Sequence, residues 1–197
     1  MKAKACVAGA IALALLPSHA TAQALGTTTS FTHNPYIEKI SCDEGSGTGF
    51  KLDTGVWVSV HHVTSLGNCK VDGVPIIVTY SDFMGDFSTF IVPGDRRVGG
   101  LKADCSGYQA GQWYFGTGHA KGLPILTSVP VLYSKAMGSK LTPRGWAVLI
   151  YNRFIPGQSG GPAFNVWGRV TGAVNAYNPV WPISFSRPLS ETIICRD

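Results

Sequence analysis

The sequence predicts an all-β protein built as an antiparallel sandwich or barrel. Short β-type runs recur between turn signals, and helical periodicity is nearly absent. The chain has 197 residues, of which 24 are Gly and 12 are Pro, with 45% hydrophobic but only 14% charged residues. This composition favours a turn-rich folded core and argues against disorder, coiled coils and large multidomain assemblies.

The predicted strands are spaced regularly along most of the chain. They cover residues 48–52, 56–60, 75–80, 87–92, 113–116, 125–133, 146–151 and 168–177. The segment 93–100 begins Pro-Gly-Asp and ends Gly-Gly, which makes it the best candidate for a connection between two halves. A weak helix is predicted from Pro188 onward.

The N-terminal segment has the three-part layout of a secretory signal peptide. Lys2 and Lys4 precede an apolar run at 5–16, which is followed by a proline and small residues. We predict cleavage after Ala22, with Ala20 and Ala24 as alternatives. Residues 1–22 are then the signal peptide and 23–197 the mature protein, which is expected to be secreted or periplasmic.

The apolar run of the leader also bears on membrane attachment. It is about a dozen residues long, whereas a membrane-spanning helix needs roughly 20. We therefore expect no membrane association after cleavage. The formal net charge of +5 is not concentrated in a Lys/Arg cluster or interleaved with aromatic residues, so the sequence does not predict nucleic-acid binding.

The cysteines indicate disulfides rather than a metal site. Cys6 lies in the leader, and an even set remains in the mature chain: Cys42, Cys69, Cys105 and Cys195. An even set in an exported chain predicts two disulfides, for which three pairings exist. No CxxC pair, metal-ligand cluster, phosphate loop or dinucleotide fingerprint occurs, so neither a metal nor another cofactor is predicted.

The sharpest local motif is Gly-Gln-Ser-Gly-Gly-Pro at 157–162. Its glycines permit the tight backbone that can aim two N–H groups at an oxyanion, although glycine-rich turns also occur without function. The motif also fits the nucleophile elbow of α/β-hydrolases, but that elbow needs a following helix and a later histidine. The last histidine is His119, upstream of Ser159, which excludes that interpretation.

The order of histidine, aspartate and serine fits a different chemistry. A histidine pair ends the β-type run 56–60, and Asp86 leads into a later apolar run. Serine is a poor nucleophile by itself and needs a neutral imidazole to accept its proton, with a carboxylate to hold the imidazole tautomer. One histidine of the pair His61 and His62, together with Asp86 and Ser159, therefore supplies the residue types of a catalytic triad in a workable order.

Several segments in the same order resemble trypsin-like (chymotrypsin-fold) serine peptidases, and among them the bacterial Do-like, high-temperature-requirement branch. The matching segments are 45–50, 57–63, 86–90, 110–118, 168–175 and 185–188. The histidine followed by valine selects His62 over His61. The resemblance implies two six-stranded antiparallel β-barrels, the first at about 40–95 and the second at about 104–190, with the active site in the cleft between them.

The resemblance also implies roles for individual residues. His62 would be the general base and acid, Asp86 its orienter and Ser159 the nucleophile, with the N–H groups of Gly157 and Ser159 forming the oxyanion hole. Asp82 is the main rival of Asp86 and is expected to be a turn residue. Among the three disulfide pairings, Cys42 with Cys69 and Cys105 with Cys195 are preferred.

The sequence departs from the digestive peptidases beside the nucleophile. Gln158 stands where trypsin-like zymogens carry an aspartate that binds a new N-terminus, so no activation by N-terminal insertion is expected. No PDZ module is expected in this sequence. The resemblance places Arg153 near the floor of the primary specificity pocket, which would disfavour cleavage after Lys or Arg; the alternative is a solvated loop residue.

A wall of the substrate pocket is expected at Asn175, Ala176 and Tyr177, where a substrate backbone would pair by β-augmentation. The predicted function is an exported serine endopeptidase that hydrolyses polypeptide substrates through an acyl-enzyme. The alternative is a catalytically inactive, peptidase-like binding protein. The oligomeric state is not predicted.

Overall fold

The computed structural model describes residues 29–31, 33–136 and 145–196, and the predicted signal peptide lies outside them. These residues form two antiparallel sheets. The first contains β2 (Ile37–Cys42), β3 (Gly45–Lys51), β4 (Trp57–Ser59), β5 (Lys70–Val71), β6 (Val74–Pro75), β7 (Ile77–Asp82) and β8 (Phe87–Ile91). The second contains β1 (Thr29–Phe31), β9 (Trp113–Gly118), β10 (Leu126–Tyr133), β11 (Ala147–Ile150), β12 (Pro162–Asn165), β13 (Val170–Tyr177) and β14 (Ile183–Pro188).

The two sheets differ in closure. In the second, β10 also pairs with β9, so six strands form a closed ring and β1 adds to the outside of β10. The first follows the order β6-β5-β2-β3-β4-β8-β7. The all-β, two-unit antiparallel architecture predicted from the sequence is confirmed. The first unit has seven strands rather than six, and among the described residues no pairing joins β6 to β7 to close it.

Each unit is built around buried apolar side chains. In the first, Trp57 stacks on Phe90 with ring centroids 5.8 Å apart, and both are almost fully buried. In the second, Tyr114, Leu149 and Phe154 pack together inside the strand ring. Successive side chains of a strand point to opposite faces. Since β4, β8 and β13 are buried along most of their length, both faces of these strands are covered.

Two disulfides connect distant parts of the chain. Cys42 is bonded to Cys69 across 27 residues, and Cys105 to Cys195 across 90 residues. These are the two pairings preferred from the sequence. The first encloses the short helix α1 (His61–Thr64), and the second ties the segment before β9 to the C-terminal end.

The helix predicted from Pro188 onward is wrong. β14 extends to Pro188 and pairs with β11 and β13, and only a single 3₁₀ turn, Leu189–Glu191, follows it. Pairing with Gly172 holds Pro188 in the strand, and beyond the 3₁₀ turn the chain is tied to Cys105 through Cys195. No helix in the described part of the chain is long and apolar enough to span a membrane.

Candidate active site

His62 and Asp86 form a two-point contact. The carboxylate of Asp86 accepts a hydrogen bond from His62 Nδ1 at 2.7 Å through one oxygen and from the His62 backbone N–H at 2.8 Å through the other. Because an ionised carboxylate only accepts, Nδ1 carries the proton and Nε2 is left as the basic nitrogen. The Asp86 side chain is 14% exposed and that of His62 is 45% exposed, so the imidazole faces open solvent while its carboxylate is covered.

Asp86 is held by the turn that precedes β8. Its backbone adopts a left-handed conformation with φ of 50°, which is uncommon for a residue other than glycine. Asp82 accepts a hydrogen bond from Gly85 N at 2.8 Å, and Trp146 Nε1 donates to Gly85 O at 3.1 Å. These contacts stabilise a turn that places the carboxylate against His62.

His61 and Asp82, the alternatives to His62 and Asp86, make different contacts in the structure. The sequence had indicated that His61 and His62 end a strand, but both lie in α1, and their side chains have different partners. His61 Nδ1 lies 2.6 Å from Ser81 Oγ, and its ring packs edge-on against Phe83. Asp82, which the sequence predicted to be a turn residue, is the last residue of β7, and its side chain accepts from Gly85 N in the turn that follows. Its Oδ2 lies 3.9 Å from Arg187 Nη2.

Ser159 lies in a tight loop between β11 and β12. Its carbonyl oxygen accepts a hydrogen bond from Thr48 N at 2.8 Å, and the next residue, Gly160, donates to Val174 O at 2.7 Å. Gly160 has a φ of 84°, and a Cβ there would lie 2.2 Å from Thr48 O. Only glycine can let the loop approach β3 so closely.

Helix α1 and the Ser159 loop meet over Gly47. A Cβ at Gly47 would lie 2.5 Å from a Val63 methyl group and 2.9 Å from Ser159 O. The segment carrying His62 and the segment carrying Ser159 are therefore packed against the same point of β3. The Ser159 hydroxyl donates to Asn175 O at 3.1 Å, and among the described residues no hydrogen bond joins it to His62.

The backbone N–H groups of Gly157 and Ser159 are the candidate oxyanion donors. Pro156 O accepts from Lys121 N at 2.5 Å, and Gln158 O accepts from Gly161 N at 2.9 Å. In a trans peptide the C=O and the next N–H point in opposite directions, so these contacts orient the N–H groups of Gly157 and Ser159 away from their carbonyl partners. Neither N–H is hydrogen-bonded within the described residues.

Thr48 is a contributor to the site that the sequence did not single out. Its hydroxyl donates to Gly157 O at 2.8 Å and accepts from His119 N at 2.9 Å. A strand of the first sheet thus holds the loop of the second. The position of Thr48 between two glycines, in Gly47-Thr48-Gly49, was the available signal that this side chain lies at a close contact.

His119 lies behind the same loop. Burial lowers its pKa, and the hydrogen bond between Nδ1 and Leu123 O, at 2.9 Å, opposes that effect only in part. A Cβ at Gly157, whose φ is 91°, would lie 2.4 Å from His119 O. The turn after β9 therefore requires glycine at this position of the loop.

The predicted substrate-pocket residues lie on two neighbouring segments. Asn175 is buried, Ala176 is half-buried and Tyr177 is exposed at the end of β13. Beyond Ala173, β13 pairs with β14 on one side only, and no described strand pairs with its other edge. Arg153 is exposed and its Nη1 donates to Pro179 O at 2.5 Å.

Asn175 stands out within this group. It lies at a bulge between Val174 and Ala176, where the register of β13 against β14 shifts. Its side chain is 1% exposed, and neither amide atom has a hydrogen-bond partner within the described residues. These residues also contain no group of three or more His, Cys, Asp or Glu side chains suited to a metal ion.

Comparison with known proteins finds matches among solved structures. No protein-family model and no curated protein matches the sequence. The inactive form of the Rv3671c protease matches with a TM-score of 0.64 at 21% identity, covering 80% of this chain and 85% of that chain. The active form of Rv3671c from M. tuberculosis gives 0.62 at 20% identity, covering 80% and 77%.

Two further matches are longer proteins. The serine endoprotease from Yersinia pestis has a TM-score of 0.65 at 17% identity and covers 81% of this chain and 60% of that chain. The HtrA-type protease AlgW with a tripeptide gives 0.62 at 17%, covering 80% and 57%. The fold is that of trypsin-like serine proteases. Within that class, the structural neighbours include HtrA-type proteases.

Proposed function

We propose that the protein is a serine endopeptidase in which His62, Asp86 and Ser159 form the catalytic triad. The observation that carries the proposal is the contact between His62 Nδ1 and Asp86 Oδ2 at 2.7 Å. It fixes the imidazole tautomer that leaves Nε2 able to accept a proton. The fold shared with serine proteases supports the same assignment.

The proposed reaction follows from these positions. His62 Nε2 accepts the Ser159 hydroxyl proton as Oγ bonds to the scissile carbonyl carbon, and the carbonyl oxygen becomes an oxyanion. The N–H groups of Gly157 and Ser159 hydrogen-bond that oxyanion. Its collapse breaks the C–N bond, and the leaving amine takes the proton from His62. Water then attacks the acyl-enzyme, with His62 as base, and releases the acid and free serine.

The nucleophile has to turn before it can react. In the resting arrangement its hydroxyl donates to Asn175 O at 3.1 Å, and a rotation about χ1 would direct it towards the imidazole. Catalytic hydrogen bonds commonly tighten only when substrate is bound. An extended substrate pairing with the open edge of β13 at Ala176 and Tyr177 would place its carbonyl beside the loop.

The test is covalent labelling of the purified, disulfide-intact protein with a fluorophosphonate, read by intact mass. Attack by Ser159 Oγ on phosphorus with loss of fluoride adds one label. We expect single labelling of the wild type and none in Ser159→Ala or His62→Ala, while the matched control His61→Ala is labelled. An unlabelled wild type would support the inactive binding protein instead.

We also propose that the protein is exported and acts on polypeptides. Two disulfides are typical of proteins that fold in an oxidising compartment, and they support the signal peptide inferred from the sequence. The intact mass of protein recovered from an exporting host should correspond to a chain that begins at residue 23. A mass that includes residues 1–22 would contradict the proposal.

A further inference from the structure

Gln158 sits between the two candidate oxyanion donors, and all of its own polar groups are engaged. Its side chain is 0% exposed. The amide oxygen Oε1 accepts from Ile155 N at 2.8 Å, and Nε2 donates to Thr127 O at 2.6 Å. Its backbone N–H donates to Ile155 O at 3.0 Å, and its carbonyl oxygen accepts from Gly161 N at 2.9 Å.

The side-chain contacts run inward to the strand ring. Thr127 lies on β10, and its carbonyl is 31 residues away from Gln158 in the sequence. A buried amide stabilises a fold only when both its donor and its acceptor are satisfied. Gln158 meets this condition with two backbone partners, one in its own loop and one in β10.

The flanking residues show the opposite pattern. The N–H groups of Gly157 and Ser159 have no hydrogen-bond partner within the described residues. A loop with free donors and a left-handed glycine can relax by rotating a peptide plane, and such a rotation would turn a donor away from the cleft. The bonds of Gln158 resist that rotation, because its backbone and its side chain are anchored separately.

We propose that Gln158 is a positioning residue that holds the N–H groups of Gly157 and Ser159 in the orientation needed to bind an oxyanion. This inference rests on the proposed peptidase function and names the residue that assembles its oxyanion hole. The anchoring is internal to the second sheet. Among the described residues, this anchoring consists of hydrogen bonds between Gln158 and backbone groups.

The required chemistry is specific to an amide. Ile155 N needs an acceptor and Thr127 O needs a donor, and glutamine supplies both from one planar group. A neutral carboxylic acid also supplies both, whereas a carboxylate offers only acceptors and would face the Thr127 carbonyl without a proton between them. Gln158→Glu should therefore hold the loop only while the substituted carboxyl is protonated.

The wild type and Gln158→Glu differ by one ionisable group, the substituted carboxyl. Both hydrogen-bond partners of the Gln158 amide are backbone groups, Ile155 N and Thr127 O. The basic side chains of His119 and Arg153 are hydrogen-bonded to Leu123 O and Pro179 O instead. The wild type carries both of these basic groups. The wild type is therefore the reference profile, and the change expected of Gln158→Glu is a loss of kcat relative to it as the substituted carboxyl ionises.

The experiment compares wild type, Gln158→Met, Gln158→Glu and the matched control Gln109→Met, which replaces an exposed glutamine. Each is assayed for fluorophosphonate labelling rate and for kcat and KM on a fluorogenic peptide selected by library cleavage with the wild type. Melting temperature and circular dichroism check folding. Methionine matches the length of glutamine but offers neither hydrogen bond.

We expect Gln158→Met to lose about a hundredfold in kcat, the usual effect of one misplaced oxyanion donor, with KM little changed. Gln158→Glu should approach wild-type kcat at acidic pH and fall progressively below it as pH rises. Burial raises the pKa of the substituted carboxyl, and the carboxyl loses its proton once the pH exceeds that pKa. Gln109→Met should match the wild type.

Two results overturn the inference while leaving the peptidase proposal intact. One is a folded Gln158→Met with wild-type kcat, and the other is a Gln158→Glu pH profile of the same shape as the wild type. If Gln158→Met does not fold, the profile of Gln158→Glu decides. A wild type that neither labels nor cleaves overturns both proposals together, so the two failures are distinguishable.

Discussion

Thr48 Oγ1 donates a hydrogen bond to Gly157 O at 2.8 Å, although the two residues are 109 positions apart in the sequence. Thr48 N also donates to Ser159 O at 2.8 Å, so one residue of β3 holds both sides of the serine loop. The candidate active site is therefore assembled across the two sheets. The geometry of the loop depends on how the sheets dock, as well as on its own glycines.

The first prediction concerns that hydroxyl. Thr48→Val keeps the shape of the side chain but leaves Gly157 O without a donor and His119 N without an acceptor. We expect the free energy of unfolding to fall by about 1–3 kcal/mol, and kcat to fall at least tenfold as the loop loosens. Thr48→Ser should restore most of both.

Steady-state kinetics and chemical denaturation check this prediction. Thr79→Val is the matched control, because the exposed Thr79 on β7 also makes one hydroxyl hydrogen bond, at 2.8 Å to Thr89 Oγ1. A Thr48→Val variant as active and as stable as the wild type would show that the inter-sheet contact does not matter.

The second prediction concerns Asp86. In Asp86→Asn the amide can present its N–H₂ to His62 Nδ1 and favour the tautomer in which Nε2 carries the proton. That imidazole cannot accept the serine proton, so the rate should fall by about 10³–10⁴-fold. Asp82→Asn should remain within a few-fold of the wild type, because its Oδ1 can still accept from Gly85 N. The fluorophosphonate labelling rate is measured for both variants. An inactive Asp82→Asn beside an active Asp86→Asn would assign the triad carboxylate to Asp82 instead of Asp86.

The third prediction concerns stability at low pH. Burial alone would raise the pKa of Asp95, but hydrogen bonds from Lys51, Trp57 and the backbone of Arg97 outweigh it and lower the pKa from 3.8 to about 2. Lys51 Nζ lies 3.0 Å from this carboxylate, and both side chains are only 8% exposed. The depressed pKa contributes about 2 kcal/mol that is fully present above about pH 4.

That contribution should be lost as the pH falls from about 4 towards about 2. Denaturant titrations across this range check it, with Asp95→Asn as the comparison. The variant should be less stable than the wild type at the upper end, and the gap should narrow as the wild-type carboxylate becomes protonated. A gap that stays constant across the range would contradict the prediction.

The fourth prediction ranks the disulfides. In the chain-entropy description, closing the 27-residue separation of Cys42 and Cys69 stabilises the fold by about 3.6 kcal/mol, and the 90-residue separation of Cys105 and Cys195 by about 4.6 kcal/mol. Replacing both Cys105 and Cys195 by serine should therefore lower the free energy of unfolding more than replacing both Cys42 and Cys69. Denaturation under matched conditions measures it, and the reverse order would mean that native packing around the bridges dominates.

Much of the fold could be predicted because the strands carry local signals. Each of the eight predicted runs overlaps a strand of the structure. β12 and β14 lack a local β-type run, and only the resemblance assigned 185–188 to a strand. β12 (Pro162–Asn165) has four residues, and β14 alternates serine with larger side chains. Their extended conformation comes from cross-strand pairing with β13, which a local pattern does not contain.

Helix α1 could not be predicted for a related reason. His61–Thr64 consists of weak helix formers, and four residues are too few for a helix to be stable by itself. The turn forms because Val63 packs against Gly47 and the disulfide between Cys42 and Cys69 encloses it. The direction of the His62 side chain therefore depends on contacts that are distant in the sequence.

The sequence by itself determined the class of fold, most of the strands, and the residue types and order of the candidate triad, because β-type runs and turn residues are local properties. Only the tertiary structure decided that His62 and Asp86 are in contact, that Thr48 and Gln158 anchor the serine loop, and that the Ser159 hydroxyl rests against Asn175 O. The physical reason is that these hydrogen bonds join segments brought together by the docking and closure of the sheets, and no local pattern encodes which partners will meet.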